Sequence, residues 1–185
     1  MTVGWSFDLR TAVLFGAMVI LLTAALLLLS WRSLRGNVRP SLRWWLAALL
    51  LLPAGLSLSC MQDMAPTWLS VPLGDTALAL GLGCMAMSLR VFYGMPERRL
   101  ALSGICALVG VSAVWFTFVM PNLQGRIVVR ELLLAGLLAS AARAVFRPGG
   151  PRGRVPRLTG SLFAVATGLM VARALHEVLW PITWS

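Results

Sequence analysis

The sequence contains no lysine. Its sixteen basic residues are all arginine, set against six acids and one histidine, for a net charge of +10. No phosphate loop is present, and Gly81-Leu82-Gly83 reads as close helix packing instead. A single histidine cannot supply the paired axial ligands of a membrane haem or a His-rich zinc site. Cysteine is scarce: Cys60, Cys84 and Cys106 show no CxxC spacing and read as small buried hydrophobes, with Cys60 the one candidate redox handle. No Ser-His-Asp set is suggested at matching depth, although Ser70 and Ser112 are available hydroxyls. No metal, cofactor or enzymatic chemistry is expected on these grounds.

Charge is scarce as well, at 12% of residues, while 59% are hydrophobic. Such a composition belongs to membrane proteins. The 185 residues suit one bundle of helices and leave no room for a separate soluble domain. The first ten residues lack the basic start and cleavage site of a signal peptide, so the first span is expected to be retained.

A bilayer crossing needs about twenty apolar residues. Six runs meet that need: 9–30, 44–60, 68–89, 100–120, 127–146 and 159–180. The second contains Pro53, a candidate kink that neighbouring helices would tolerate. The expected fold is all-α and integral to the membrane: a six-helix transmembrane bundle of three antiparallel hairpins, forming one domain over 1–185. Short connections at 61–67 and 121–126 enforce that pairing.

The arginines alternate with the spans. Arg32, Arg35, Arg39 and Arg43 follow the first; Arg90, Arg98 and Arg99 follow the third; Arg143, Arg147, Arg152, Arg154 and Arg157 surround the fifth connection. That is twelve on one side, against Arg10, Arg126 and Arg130 on the other. The bias places the arginine loops in the cytoplasm and both termini outside it. Basic residues distributed in short loops favour anionic lipid headgroups as the partner over nucleic acid. The Pro/Gly/Arg-rich stretch 147–157 is expected to lie on such lipid.

Ionisable groups within spans are costly and are therefore functional candidates. Arg173, His176 and Glu177 share one face of the sixth span by their spacing. Asp75 lies at about the same depth in the third, and Arg130 and Glu131 near the outer end of the fifth, below Gln124 and Arg126. All sit in the outer half of the bundle. Two readings stand. The six residues line an outward-opening ligand pocket, or they are structural, with Asp75 capping a helix and Arg173 pairing with Glu177 or Asp75.

Three stretches carry a resemblance: Leu29-Ser30-Trp31-Arg32-Ser33-Leu34-Arg35-Gly36, Leu42-Arg43-Trp44-Trp45-Leu46-Ala47, and Trp68-Leu69-Ser70 leading to Gly74-Asp75-Thr76-Ala77-Leu78 and Leu89-Arg90-Val91-Phe92. Together they resemble the N-terminal membrane sensory region of bacterial diguanylate cyclases, the proteins with a C-terminal GGDEF domain. The likeness covers residues 9 to 100 and is compositional. It implies a bacterial inner-membrane sensor that feeds a cytoplasmic output domain or partner protein, with a homodimer as a further expectation. The chain departs from the pattern in having no Gly-Gly-Asp-Glu-Phe motif, so it is not itself the cyclase. It looks like a sensor part without its last span and output domain, or a free-standing relative. A small transporter and a structural subunit that docks a partner are the rival readings. A transporter would favour polar residues continuing into the inner half, which is Leu, Ala, Gly and Met.

Overall fold

A computed structural model describes residues 9–30, 38–61, 66–147 and 153–180. The basic stretch 31–37 (with Arg32 and Arg35), the segment around Asp63, and Arg152 lie outside the described residues.

Within them the chain is all-helical. Six α-helices run in order: α1 Leu9–Leu29, α2 Arg39–Cys60, α3 Thr67–Phe92, α4 Arg99–Val114, α5 Leu123–Val145 and α6 Arg154–Leu179. Four stretches are long and apolar enough to cross a membrane: Arg39–Cys60, Ser70–Phe92, Arg99–Val119 and Arg154–Leu179. In α1 the apolar helix Phe15–Leu29 is shorter. The charges of α5 (Arg126, Arg130, Glu131, Arg143) set it apart from the four.

Several helices begin before the apolar runs do. α2 starts at Arg39 rather than at Trp44, because Pro40 occupies its first turn, where a missing N–H costs nothing. It then continues through Pro53 to Cys60 as one helix. α5 starts at Leu123, capped by the Asn122 side chain, which accepts from the Gly125 N–H at 2.9 Å. α4 ends differently: its last turn widens into a π-helical segment, Trp115–Val119, before Pro121. Such widened turns are rare and gather at functional sites.

α3 is the central element. Half of its apolar window is buried, against 11% for α6. It packs on α2, α4 and α5, while α6 rests chiefly on α5 and α1 on α2. The most extensive contact, α2 with α3, joins the two helices on either side of the short connection 61–67.

Glycine makes that contact possible. A Cβ on Gly55 would fall 2.8 Å from both the Leu78 backbone nitrogen and its Cγ, and one on Gly81 would fall 2.8 Å from Leu52 side-chain carbons. The pairs 55 with 78 and 52 with 81 run in opposite directions, so the two helices are antiparallel. At the other end of the same seam Ser41 and Ser88, both buried, exchange hydrogen bonds: Ser41 Oγ donates to the Ser88 carbonyl at 2.9 Å and Ser88 Oγ to the Ser41 carbonyl at 2.8 Å. Satisfied in this way, two hydroxyls stabilise an apolar seam rather than weaken it.

The core between α3, α4 and α5 is built from Ala79, Met87, Leu102, Cys106, Val109, Leu134 and Leu137. A smaller cluster, Ala86, Leu89, Ala141 and Val145, closes the α3–α5 contact and receives Phe163 of α6. The opposite faces remain apolar and exposed: Leu158, Leu162, Val165 and Leu169 on α6, and Met18, Leu22, Leu26 and Leu29 on α1. Helical stripes of this kind, uncovered by protein, are what a bilayer would cover. Cys84 and Cys106 are buried free thiols, and Cys60 is a half-buried one.

Candidate functional site

Charge is buried at one end of the bundle, where α3, α5 and α6 meet. Asp75 is 1% exposed and Glu131 2%, the most deeply withdrawn acids among the described residues. Arg130 lies between them. Its Nη1 donates to Asp75 Oδ1 at 3.0 Å, and its Nη2 to Glu131 Oε1 at 2.8 Å. Arg173 Nη1 approaches the same Glu131 oxygen at 3.6 Å from α6, an ion pair too long for a hydrogen bond. Arg126, one turn before Arg130, lies within electrostatic reach of Asp75.

Local sequence explains the placement. α3 already begins at Thr67, so Asp75 sits inside it and caps nothing. Arg130 is long enough to reach α3 from α5, and its neighbour Glu131 is buried beneath it. A further tie holds α5 to α6: Gln124 Nε2 donates to the Glu177 carbonyl at 2.6 Å.

The cluster is incompletely satisfied. Asp75 Oδ2, Glu131 Oε2, Arg126 Nε and Arg130 Nε are all buried and make no hydrogen bond within the described protein. Among the described residues two other buried side-chain atoms share that condition, Arg90 Nε and Thr117 Oγ1. Thr117 belongs to the π-helical segment, whose Phe116 packs against Gly125 at the start of α5. Each such group costs about 1–3 kcal/mol when left unpaired. These atoms retain hydrogen-bonding capacity that water, or a small molecule carrying both donors and acceptors, could take up.

The six sequence candidates separate. Asp75, Arg130, Glu131 and Arg173 come together. Glu177 is buried beside α5, but it enters the network through its carbonyl. His176 is exposed, its ring 5.8 Å from that of Trp180, and it does not join the cluster. Arg173 pairs with Glu131, and neither Glu177 nor Asp75 is its partner. Among the described residues no group of three or more His, Cys, Asp or Glu is arranged to hold a metal ion.

The opposite end holds a feature that the sequence reading did not single out. Trp44, Glu97 and Arg99 join the start of α2 to the α3–α4 turn. Arg99 Nε donates to Glu97 Oε2 at 2.6 Å, the Trp44 indole N–H lies 3.5 Å from Glu97 Oε1, and the Arg99 guanidinium is 5.8 Å from the Trp44 ring centre. The Arg99 hydrogen bond is the main reason the Glu97 carboxyl is held below the usual carboxylate range.

No family model, curated protein or solved structure matches the chain. Its function must be argued from this geometry.

Proposed function

We propose that the chain is a multi-pass membrane protein acting as the sensory input of a signalling system, with the Asp75–Arg130–Glu131 cluster as its receptor site. The observation that carries the reading is the concentration of unpaired buried donors and acceptors at that cluster. A purely structural ion-pair network would be expected to satisfy its members, because an unsatisfied one is worse than an apolar core.

In this reading all six helices cross the bilayer. The arginine-bearing connections face the cytoplasm, in contact with anionic headgroups, and the cluster opens to the outer side. The membrane is the bacterial inner membrane, and the resemblance to the sensory regions of diguanylate cyclases supplies the expected output, a cytoplasmic domain or partner. A ligand that bridges Asp75 on α3 and Arg130 on α5 would change how these helices pack, which is the coupling a sensor requires.

Two measurements test this. A reporter fused after Ser185 and active only outside the cytoplasm should be active; a cytoplasmic signal would refute six crossings. In lipid nanodiscs, a panel of amino acids and small organic acids should include compounds that raise the unfolding temperature of the wild type but not of Asp75→Asn or Glu131→Gln. If no thermal shift depends on these side chains, the receptor reading is wrong.

A further inference from the structure

The end of the bundle opposite the charge cluster holds a basic cavity of about 710 Å³. Arg90, Arg98, Arg143 and Arg147 line it, brought together from the end of α3, the α3–α4 turn and the end of α5. Arg143 lies in the last turn of α5 and Arg147 just past its end. None of the four has a carboxylate partner among the described residues. The nearest acid in sequence, Glu97, is turned to Arg99, and the other three described acids lie at the far end. Arg90 donates through Nη2 to the Pro96 carbonyl at 3.1 Å, yet its buried Nε makes no hydrogen bond.

An apolar slot of about 200 Å³ continues from this cavity between α3, α4 and α5, sharing Arg90, Arg98 and Ser140 with it. Met87, Ile105 and Leu137 form its walls. A cationic mouth that opens into a narrow apolar slot has the form of an amphiphile, with an anionic head and a hydrocarbon tail. Arg90 and Arg143 stand at the ends of helices, where headgroups would lie if the helices span a bilayer.

We propose that this is a binding site for one anionic phospholipid, its phosphate among the four arginines and an acyl chain in the slot between α4 and α5. The site is distinct from the receptor cluster, roughly 20 Å away along α5 between Arg130 and Arg143, and rests only on the membrane part of the reading above. Loop arginines in general attract anionic surfaces; this site selects one molecule by pairing charge with shape. Bulk headgroup attraction would be lost on extraction into detergent, whereas a seated lipid is retained.

Native mass spectrometry of detergent-purified protein is the test, with phosphatidylglycerol, phosphatidylcholine and inorganic phosphate added separately. Phosphatidylglycerol should be retained at one molecule per chain, and phosphatidylcholine much less. Arg143→Gln/Arg147→Gln replaces two exposed residues and should weaken retention roughly thirtyfold, the effect of two cations beside an anionic headgroup. Gly136→Phe offers a second route: Gly136 lines the cavity, and a Cβ there meets nothing within 4 Å, so the ring enters open space and blocks the site. Both variants should keep the wild-type circular dichroism. Equal retention of the two lipids, or unchanged retention in both variants, would overturn the proposal. A phosphate effect equal to that of phosphatidylglycerol would also overturn it, in favour of a soluble anion. Recovery of the protein without membranes would overturn this site and the membrane reading together; membrane-bound protein that fails to discriminate would overturn this site alone.

Discussion

Arg130 Nη1 donates to Asp75 Oδ1 at 3.0 Å across the α3–α5 interface, with the carboxylate side chain 2% exposed and the guanidinium 18%. Breaking a buried pair by removing one member leaves an uncompensated charge, at a cost of about 3–5 kcal/mol. Arg130 would keep Glu131, so Asp75→Asn is expected to fall near the lower limit, about 3 kcal/mol. Replacing Asp75, Arg130 and Glu131 together by leucine should recover much of that loss, because no member of the buried network is then left charged and unpaired. Thermal unfolding of the single and triple variants checks this; a triple variant as unstable as the sum of the singles would rule it out.

Two glycines, one in the α2–α3 seam and one on α6, should respond in opposite ways to alanine. Gly55→Ala drives a methyl into the Leu78 backbone and should destabilise by about 1–3 kcal/mol. At Gly168, within α6, a Cβ meets nothing within 4 Å, so Gly168→Ala should stabilise by up to about 1 kcal/mol through helix propensity alone. Melting temperatures measured side by side decide it.

Ser41 and Ser88 act as one unit. Ser41→Ala or Ser88→Ala should each cost about 1 kcal/mol. The double substitution should cost less than the sum of the two, because each removes half of a reciprocal pair. Strict additivity in a double-mutant cycle would show that the two bonds are independent.

Glu97 sets a pH dependence. Its carboxyl is held below its ordinary value, chiefly by the Arg99 hydrogen bond. The folded state therefore gains stability that is fully present above the ordinary carboxylate range and is lost as pH falls through the depressed folded value. The wild type should unfold at a slightly higher temperature than Glu97→Gln at neutral pH, and the difference should vanish on acidification. A gap that persists at pH 2 would mean the contact is not electrostatic.

The sequence patterns disclosed the helices but not the rotation of each about its own axis. Apolar runs locate six of them, because a run of that length has few other structures available. The cost of charge within apolar runs drew six residues to attention, and the structure brings Asp75, Arg130, Glu131 and Arg173 of these together. The face argument for α6 was too coarse. Successive helical residues turn by about 100°, so His176 and Glu177 fall on either side of Arg173. α6 buries only a narrow stripe, and it takes in Glu177 and leaves His176 outside. The Arg173–Glu131 pairing depends on the rotation of α6 against α5, fixed by contacts such as Gly160 with Phe146 that no periodicity encodes. The basic cavity was hidden for a similar reason. Its arginines come from separate segments, and topology alone accounted for each of them.

α2 and α3 are joined along their length by close glycine contacts and closed at one end by the serine exchange, whereas α6 leans mainly on α5. α5 is therefore the element through which α6 is held to the rest of the bundle, and the Arg130–Asp75 bond is a charged tie on the α3 side of that bridge.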